Sequence, residues 1–155
     1  MEKLTLKEWH RKQAVDTFNK TWDLIEKKDR TKEDDLEMIH TAHASRFHWG
    51  QIGEPLHFAR GEWQLSRVYA ILNMSESAMF HGKQSLELCL EHNITDFDLA
   101  FAYEAVSRAY SVKNDERSMQ EYYDLAQRAG QQILKKEDKE YFISELNSIK
   151  LRSRV

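Results

Sequence analysis

His40, His43 and His48 crowd one short stretch of predicted helix. Imidazoles so placed can ligate a metal or move protons near neutral pH. His40 and His43 are three residues apart and share a helix face, whereas His48 is rotated away from His43. One ion therefore cannot gather all three without distortion. Two Glu-x-x-His pairs, Glu37 with His40 and Glu54 with His57, repeat the pattern that two helices bring to a di-metal centre. Glu54, however, stands beside Pro55 at a helix start, and no partner carboxylates are evident in sequence. Histidines hydrogen-bonded locally are the plainer reading. A metal-dependent or cofactorless enzyme built on His40, His43 and His48 is the alternative function, with no metal ligand and no cofactor assigned.

A second constellation mixes arginine with aromatic residues. Arg60, Trp63 and Arg67 are spaced three and four apart and make one helical stripe. At about 3.6 residues per turn this stripe lies opposite an apolar one, Phe58, Leu65 and Leu72. The run Ser66-Arg67-Val68-Tyr69 recurs as Ser107-Arg108-Ala109-Tyr110, an offset of 41 residues (107 − 66). The same offset places Phe101, Glu104 and Arg108 on an equivalent second stripe, which Phe97 extends. Guanidinium groups grip carboxylates with two parallel hydrogen bonds, and tryptophan is a frequent anchor in interfaces. These six residues, Arg60, Trp63, Arg67, Phe101, Glu104 and Arg108, are the candidate ligand-binding set. Arg67 and Arg108 are expected to face solvent and converge on one acidic group of a ligand. The competing reading is internal, with the arginines paired to Glu62, Asp98 or Glu104.

Catalytic signatures are otherwise missing. The chain holds no G-x-S-x-G elbow, no phosphate loop, no G-x-G-x-x-G and no H-E-x-x-H. One cysteine, Cys89, cannot build a thiolate zinc site, and its neighbours Leu88 and Leu90 mark it as a buried small hydrophobe.

The elements that must carry these residues are helices. Val15, Phe18, Trp22 and Ile25 form the stripe of a first helix over about 6–28. Leu36, Ile39, His43, Phe47 and Gly50 lie on one face of a second, capped by Thr31 with Asp34. Pro55 opens a third helix, whose core stripe is Phe58, Gly61, Leu65, Val68, Tyr69 and Leu72. A fourth from Ser75 sets Ala78, Gly82 and Ser85 on one side for close packing. Thr95 is expected to cap a fifth helix with core residues Leu99, Ala102, Val106, Ala109 and Tyr110. A sixth helix runs to about Leu134. A seventh, to about Ile149, shows Phe142, Leu146 and Ile149 on one face, and 151–155 reads as frayed.

Composition agrees with one helical domain. With 155 residues, 41% hydrophobic and 32% charged, the chain can bury its own core. One proline and five glycines leave few turns for an all-β fold. A net charge of −3 gives no basic field for nucleic acid, and no apolar run reaches a membrane span. The charged start Met1-Glu2-Lys3-Leu4-Thr5 and the lone cysteine point to the cytoplasm. The asparagines of Asn73-Met74-Ser75 and Asn93-Ile94-Thr95 are then read as accidental matches to the glycosylation pattern.

Leu65-Ser66-x-x-Tyr69, then Asn73 and Ala78, resembles a tetratricopeptide repeat: bulky, small and aromatic residues on one helix, a turn, and a small residue on the next. Val106-Ser107-x-x-Tyr110 with Asn114 resembles the same first helix, while Met119 replaces the expected small residue. The 41-residue period exceeds the usual ~34. The resemblance implies an all-α, tetratricopeptide-like right-handed superhelix of antiparallel pairs, with about seven helices. Its parts would be a degenerate pair (6–52), two repeats (54–92 and 95–134) and a capping helix (136–149). It also implies that the arginine–aromatic face lines a concave groove that holds peptides. The expected function is a peptide- or protein-binding module with no nucleic-acid or membrane partner and with homodimerisation open. The whole chain further resembles an uncharacterised bacterial family of this length. Three runs carry that likeness: His43-Ala44-Ser45-Arg46-Phe47-His48-Trp49, Ala59-Arg60-Gly61-Glu62-Trp63 and Asp96-Phe97-Asp98-Leu99-Ala100-Phe101-Ala102-Tyr103-Glu104.

Overall fold

In the computed structural model, which describes residues 3–149, the chain is all helical, and the described residues include no strand. The seven helices are α1 (Leu6–Glu26), α2 (Lys32–Ile52), α3 (Pro55–Ile71), α4 (Ser75–Glu91), α5 (Asp96–Lys113), α6 (Glu116–Gln131) and α7 (Lys136–Leu146). The stretch 151–155 lies outside the described residues. None of the described helices is long and apolar enough to cross a membrane.

Local chemistry sets most of the boundaries. Thr5 with Glu8 and Thr31 with Asp34 form reciprocal capping boxes at the starts of α1 and α2. These satisfy backbone donors that a helix start leaves without partners. Pro55 occupies the first turn of α3, where its missing N–H costs nothing. Asn73, Asn93 and Asn114 end α3, α4 and α5 with φ of 61°, 54° and 64°, a left-handed conformation asparagine tolerates. Thr95 does not cap α5 with its side chain. Asp96, at φ 61°, takes that role: its carboxylate accepts from Phe97 N at 2.7 Å and from Leu134 N at 3.1 Å. That second bond pins the α6–α7 connection. It begins before Leu134 because Ile133 turns inward and is buried.

Consecutive helices pack as pairs, α1 with α2, α3 with α4 and α5 with α6. The 41-residue offset recurs in the bonding of two pairs. Ser66 Oγ donates to Ala78 O at 2.8 Å, and Ser107 Oγ donates to Met119 O at 2.9 Å. After each, the chain closes alike: Met74 N to Tyr69 O at 2.9 Å, Asp115 N to Tyr110 O at 3.0 Å. Gly82 allows α3, α4 and α5 to meet closely, since a Cβ there would stand 3.0 Å from Ser66 Oγ and 3.5 Å from the Ala105 backbone.

The first pair buries other faces than the apolar stripes suggested. In α1 the buried residues are Ala14, Thr21 and Leu24, while Val15 is exposed and Phe18 and Trp22 are half-buried. In α2 they are Met38, Ala42, Ser45 and Trp49, and Leu36, His43 and Phe47 are exposed. Small and hydroxyl residues make this contact: Ser45 Oγ donates to Ala14 O at 2.8 Å, and Thr21 and Thr41 share a 2.7 Å hydrogen bond. In the later pairs Leu65, Val68, Tyr69, Ala78, Gly82, Ser85, Cys89, Ala102, Val106 and Ala109 are buried as expected. At the far end Phe142 and Leu146 of α7 close a cluster with Phe101, Ala126 and Ile133.

Candidate functional site: an aromatic pocket and an arginine–glutamate network

The second stripe of α3 points toward α1 and α5. Trp63 stacks on Trp22 of α1 (centroids 5.7 Å, planes 29° apart) and meets Phe101 of α5 edge-on at 5.5 Å. Gln64 Nε2 donates to Phe18 O at 3.1 Å and ties α3 to α1. Between these helices lies a pocket of about 140 Å³, walled by Phe18, Trp22, Trp63, Phe97, Phe101 and Tyr141, with Arg60 and Asp98 beside them. Its lining is overwhelmingly apolar. An apolar cavity of about 150 Å³ accommodates a benzene ring, so this one has room for a single ring or branched side chain. Trp63 Nε1 is buried and, among the described residues, donates to no acceptor.

Arg60 is exposed and binds Asp98 with two parallel bonds of 2.9 and 3.1 Å. That hydrogen-bonded pairing, outweighing burial, raises the Arg60 pKa. Phe97 lies against Phe101 at 4.7 Å.

Arg67 and Arg108 do converge on one acidic group, but it is the chain's own Glu104, and they do not face solvent. Arg67 Nη2 donates to both Glu104 oxygens at 3.3 and 3.4 Å, and Arg108 Nε donates to Oε1 at 2.6 Å. The Glu104 side chain is 0% exposed, Arg67 11% and Arg108 17%. A carboxylate is stable at that depth because two guanidinium groups surround it. Arg67 also donates to Glu145 Oε1 of α7 at 3.0 Å, and its guanidinium sits 5.1 Å from the Trp63 ring centre. Arg108 reaches Glu145 O at 3.0 Å and Ser148 Oγ at 2.8 Å. Burial works against the Arg67 charge, yet Glu104 and Glu145 outweigh it and raise its pKa above the ordinary value.

No protein-family model, curated protein or solved structure matches the chain. Its chemistry has to be read from the pocket and the ion network themselves.

All six candidate residues thus share one face but divide into two groups. Arg60, Trp63 and Phe101 border the pocket; Arg67, Glu104 and Arg108 form a buried network beside it. The sequence reading missed four contributors. Phe18 and Trp22 belonged to a stripe read as core, and their four-residue spacing fits a pocket wall equally well. Tyr141 and Glu145 are also four apart, on the helix read only as a cap.

The histidines do not form a common centre. His48 Nδ1 lies 2.8 Å from His10 Nδ1, and His43 Nε2 lies 2.8 Å from Tyr69 Oη. His57 accepts from Glu54 N at 3.0 Å and stacks on Trp49 at 4.2 Å. His81, unremarked in the sequence, meets Glu62 at 2.6 Å, and Glu62 also pairs with Arg46 at 3.4 Å, so one chain of polar contacts joins α2, α3 and α4. Among the described residues no three His, Cys, Asp or Glu side chains are grouped to hold a metal ion. Cys89 is buried, and burial pushes its thiol up to about 12, far from a reactive thiolate.

Proposed function

We propose that this chain is a cytoplasmic helical-repeat module that binds a peptide or protein partner on a concave, tetratricopeptide-like face built by α1, α3 and α5. The observation that carries the reading is the aromatic pocket. Six aromatic side chains from four helices surround space for one apolar side chain, and the Trp22–Trp63 stack that joins α1 to α3 leaves that space unfilled. A packed core would fill that space. Exposed Arg60 stands beside it, able to exchange Asp98 for a partner's carboxylate. Aromatic residues and arginine are the types that dominate binding hot spots. In this reading Phe18, Trp22, Trp63 and Phe97 take the anchor, and the Glu104 network keeps α3 and α5 in register beneath it.

Selection of displayed random peptides on the purified protein tests this. Enriched peptides should share a bulky apolar residue. Trp22→Ala and Phe97→Ala should each weaken them by about 2 kcal/mol or more, the range of a hot-spot truncation, with the helical circular dichroism unchanged. No enrichment, or peptides that bind both variants as tightly as the parent, would remove the reading.

A further inference from the structure

We propose that the α3/α5 face receives an amphipathic helix bearing an aromatic ring and a carboxylate one turn apart, and that α7 is its resident occupant, displaced when a partner helix binds. This rests on the partner-binding reading above and adds what the partner looks like and what it must move.

Charge makes the first argument. Arg67 and Arg108 bring two positive charges to this face, and buried Glu104 brings one negative charge. The face is short of one carboxylate, and Glu145 supplies it at 3.0 Å from Arg67 Nη1. Arg108 adds a contact to the end of the same helix by donating to Glu145 O. Cations are favoured at that end, where carbonyls have no partners within the helix. The site therefore recognises a side-chain carboxylate and a helix C-terminus together.

Shape makes the second. Tyr141 precedes Glu145 by four residues, so the two share one face of α7. While Glu145 sits on Arg67, the Tyr141 ring lies 5.9 Å from Phe101 and forms part of the pocket wall. A ring and a carboxylate at this spacing are what the face holds now, and a partner helix with the same pair would make the same contacts.

The third argument is that α7 is the helix most easily exchanged. It spans 11 residues, below the roughly 12–15 at which an isolated helix becomes even marginally stable. It touches α5 and α6 more sparsely than the other helices touch their neighbours. The connection leading into it is anchored by buried Ile133 and by the Leu134 N–Asp96 bond, and beyond that anchor the Leu134 side chain, 92% exposed, and Lys135 stand in water. Phe142 and Leu146 hold it closed at rest. Regions with few buried contacts open locally well below the cost of global unfolding.

A labelled synthetic peptide of residues 135–149, added to the full-length chain, is the probe. The Tyr141→Ala/Glu145→Gln variant weakens the resident helix while keeping Phe142. Anisotropy should show the peptide binding this variant about tenfold or more tighter than the parent chain, because an occupied site reduces apparent affinity by the fraction that is open. A peptide carrying the same two changes should bind neither protein. In the parent chain, hydrogen exchange should find α7 amides opening at least about tenfold faster than those of α5. Peptide affinity equal for parent and variant, or α7 amides as protected as those of α5, would overturn the proposal. Either result leaves the selected-peptide test at Trp22 and Phe97 free to succeed, so the two readings fail separately.

Discussion

Glu104 is the residue on which the inner face depends. Its side chain is fully buried, and both Arg67 and Arg108 donate to its carboxylate. Removing one partner from a buried ion cluster leaves the others charged and unpaired, at a cost of about 3–5 kcal/mol. Glu104→Ala is expected to lower stability by that amount in urea titration, and Arg67→Ala to be comparably damaging. A loss below about 1 kcal/mol, the worth of an exposed pair, would mean that the network is solvated. Tyr69 separates two contributions. Its ring is 9% exposed and stacks on His81 at 5.6 Å, while its hydroxyl meets His43. Tyr69→Phe should cost about 1 kcal/mol, a typical hydrogen bond, and Tyr69→Ala about 3–5 kcal/mol, as for large-to-small core changes. Equal losses from both would place the value of the side chain in its hydroxyl.

Among the helices, α7 shows how one backbone position can admit or refuse a whole element. Gly130 on α6 has no Cβ, and the Phe142 ring fills that place. A Cβ there would stand 2.5 Å from Cε2 and 2.7 Å from Cδ2 of the ring, too close unless Phe142 moves. Gly130→Ala should cost about 1–3 kcal/mol, the usual penalty of overpacking, offset in part by better helix propensity. Tyr141 fluorescence and α7 exchange should change together with it. An unaltered α7 would show that Phe142 has room elsewhere. The number of helices and most of their limits were legible from capping residues, Pro55 and the turn asparagines, because those signals are local; the Thr95 cap and the end of α6 were not. The repeat offset was legible for the same reason, since Ser66 and Ser107 make the same bond in different pairs. Which face of α1 and α2 turns inward was not. Their contact uses Ala14, Thr21, Ala42 and Ser45, which carry little hydrophobicity, whereas the conspicuous Phe47 is left 60% exposed and Phe18 and Trp22 wall the pocket. The destination of Arg67 was likewise hidden, because Glu145 is 78 residues away in sequence.

At the scale of the molecule, α7 packs on the α5/α6 pair. Phe101, Ala126 and Ile133 lie beneath Phe142 and Leu146. A chain lacking 136–155 would present that cluster to water and strip Arg67 of Glu145. It should self-associate or precipitate, as large exposed apolar patches do, and analytical ultracentrifugation would show it. A shortened chain that stays monomeric with an unchanged Tm would mean that α7 covers nothing of consequence.

Histidines spread through the molecule set its response to acid. Burial lowers the pKa of His43, with neighbouring His81 and His40 adding to the effect and Glu62 opposing it. Burial also lowers His48, followed by the charge of His10. Burial again leads at His57, with Arg11 and Arg60 adding to it and Glu54 opposing. In each case the folded protein holds a proton less readily than the unfolded chain, whose histidines titrate near 6.5. Above that value both states carry these side chains neutral, and the stability is fully present. As pH falls below about 6.5 the unfolded chain takes up protons that the fold resists, so stability declines toward the lower folded values. The His10–His48 bond gives a local reason: with 2.8 Å between the two Nδ1 atoms, one must donate and the other accept, and a proton on the accepting nitrogen breaks the pair. Tm should therefore fall between pH 7.5 and pH 5.5, before most carboxylates titrate. His43→Gln with His48→Gln should flatten that fall even if it lowers Tm at pH 7.5. A Tm that holds or rises over this interval would show that other titrating contacts outweigh these three partly desolvated rings.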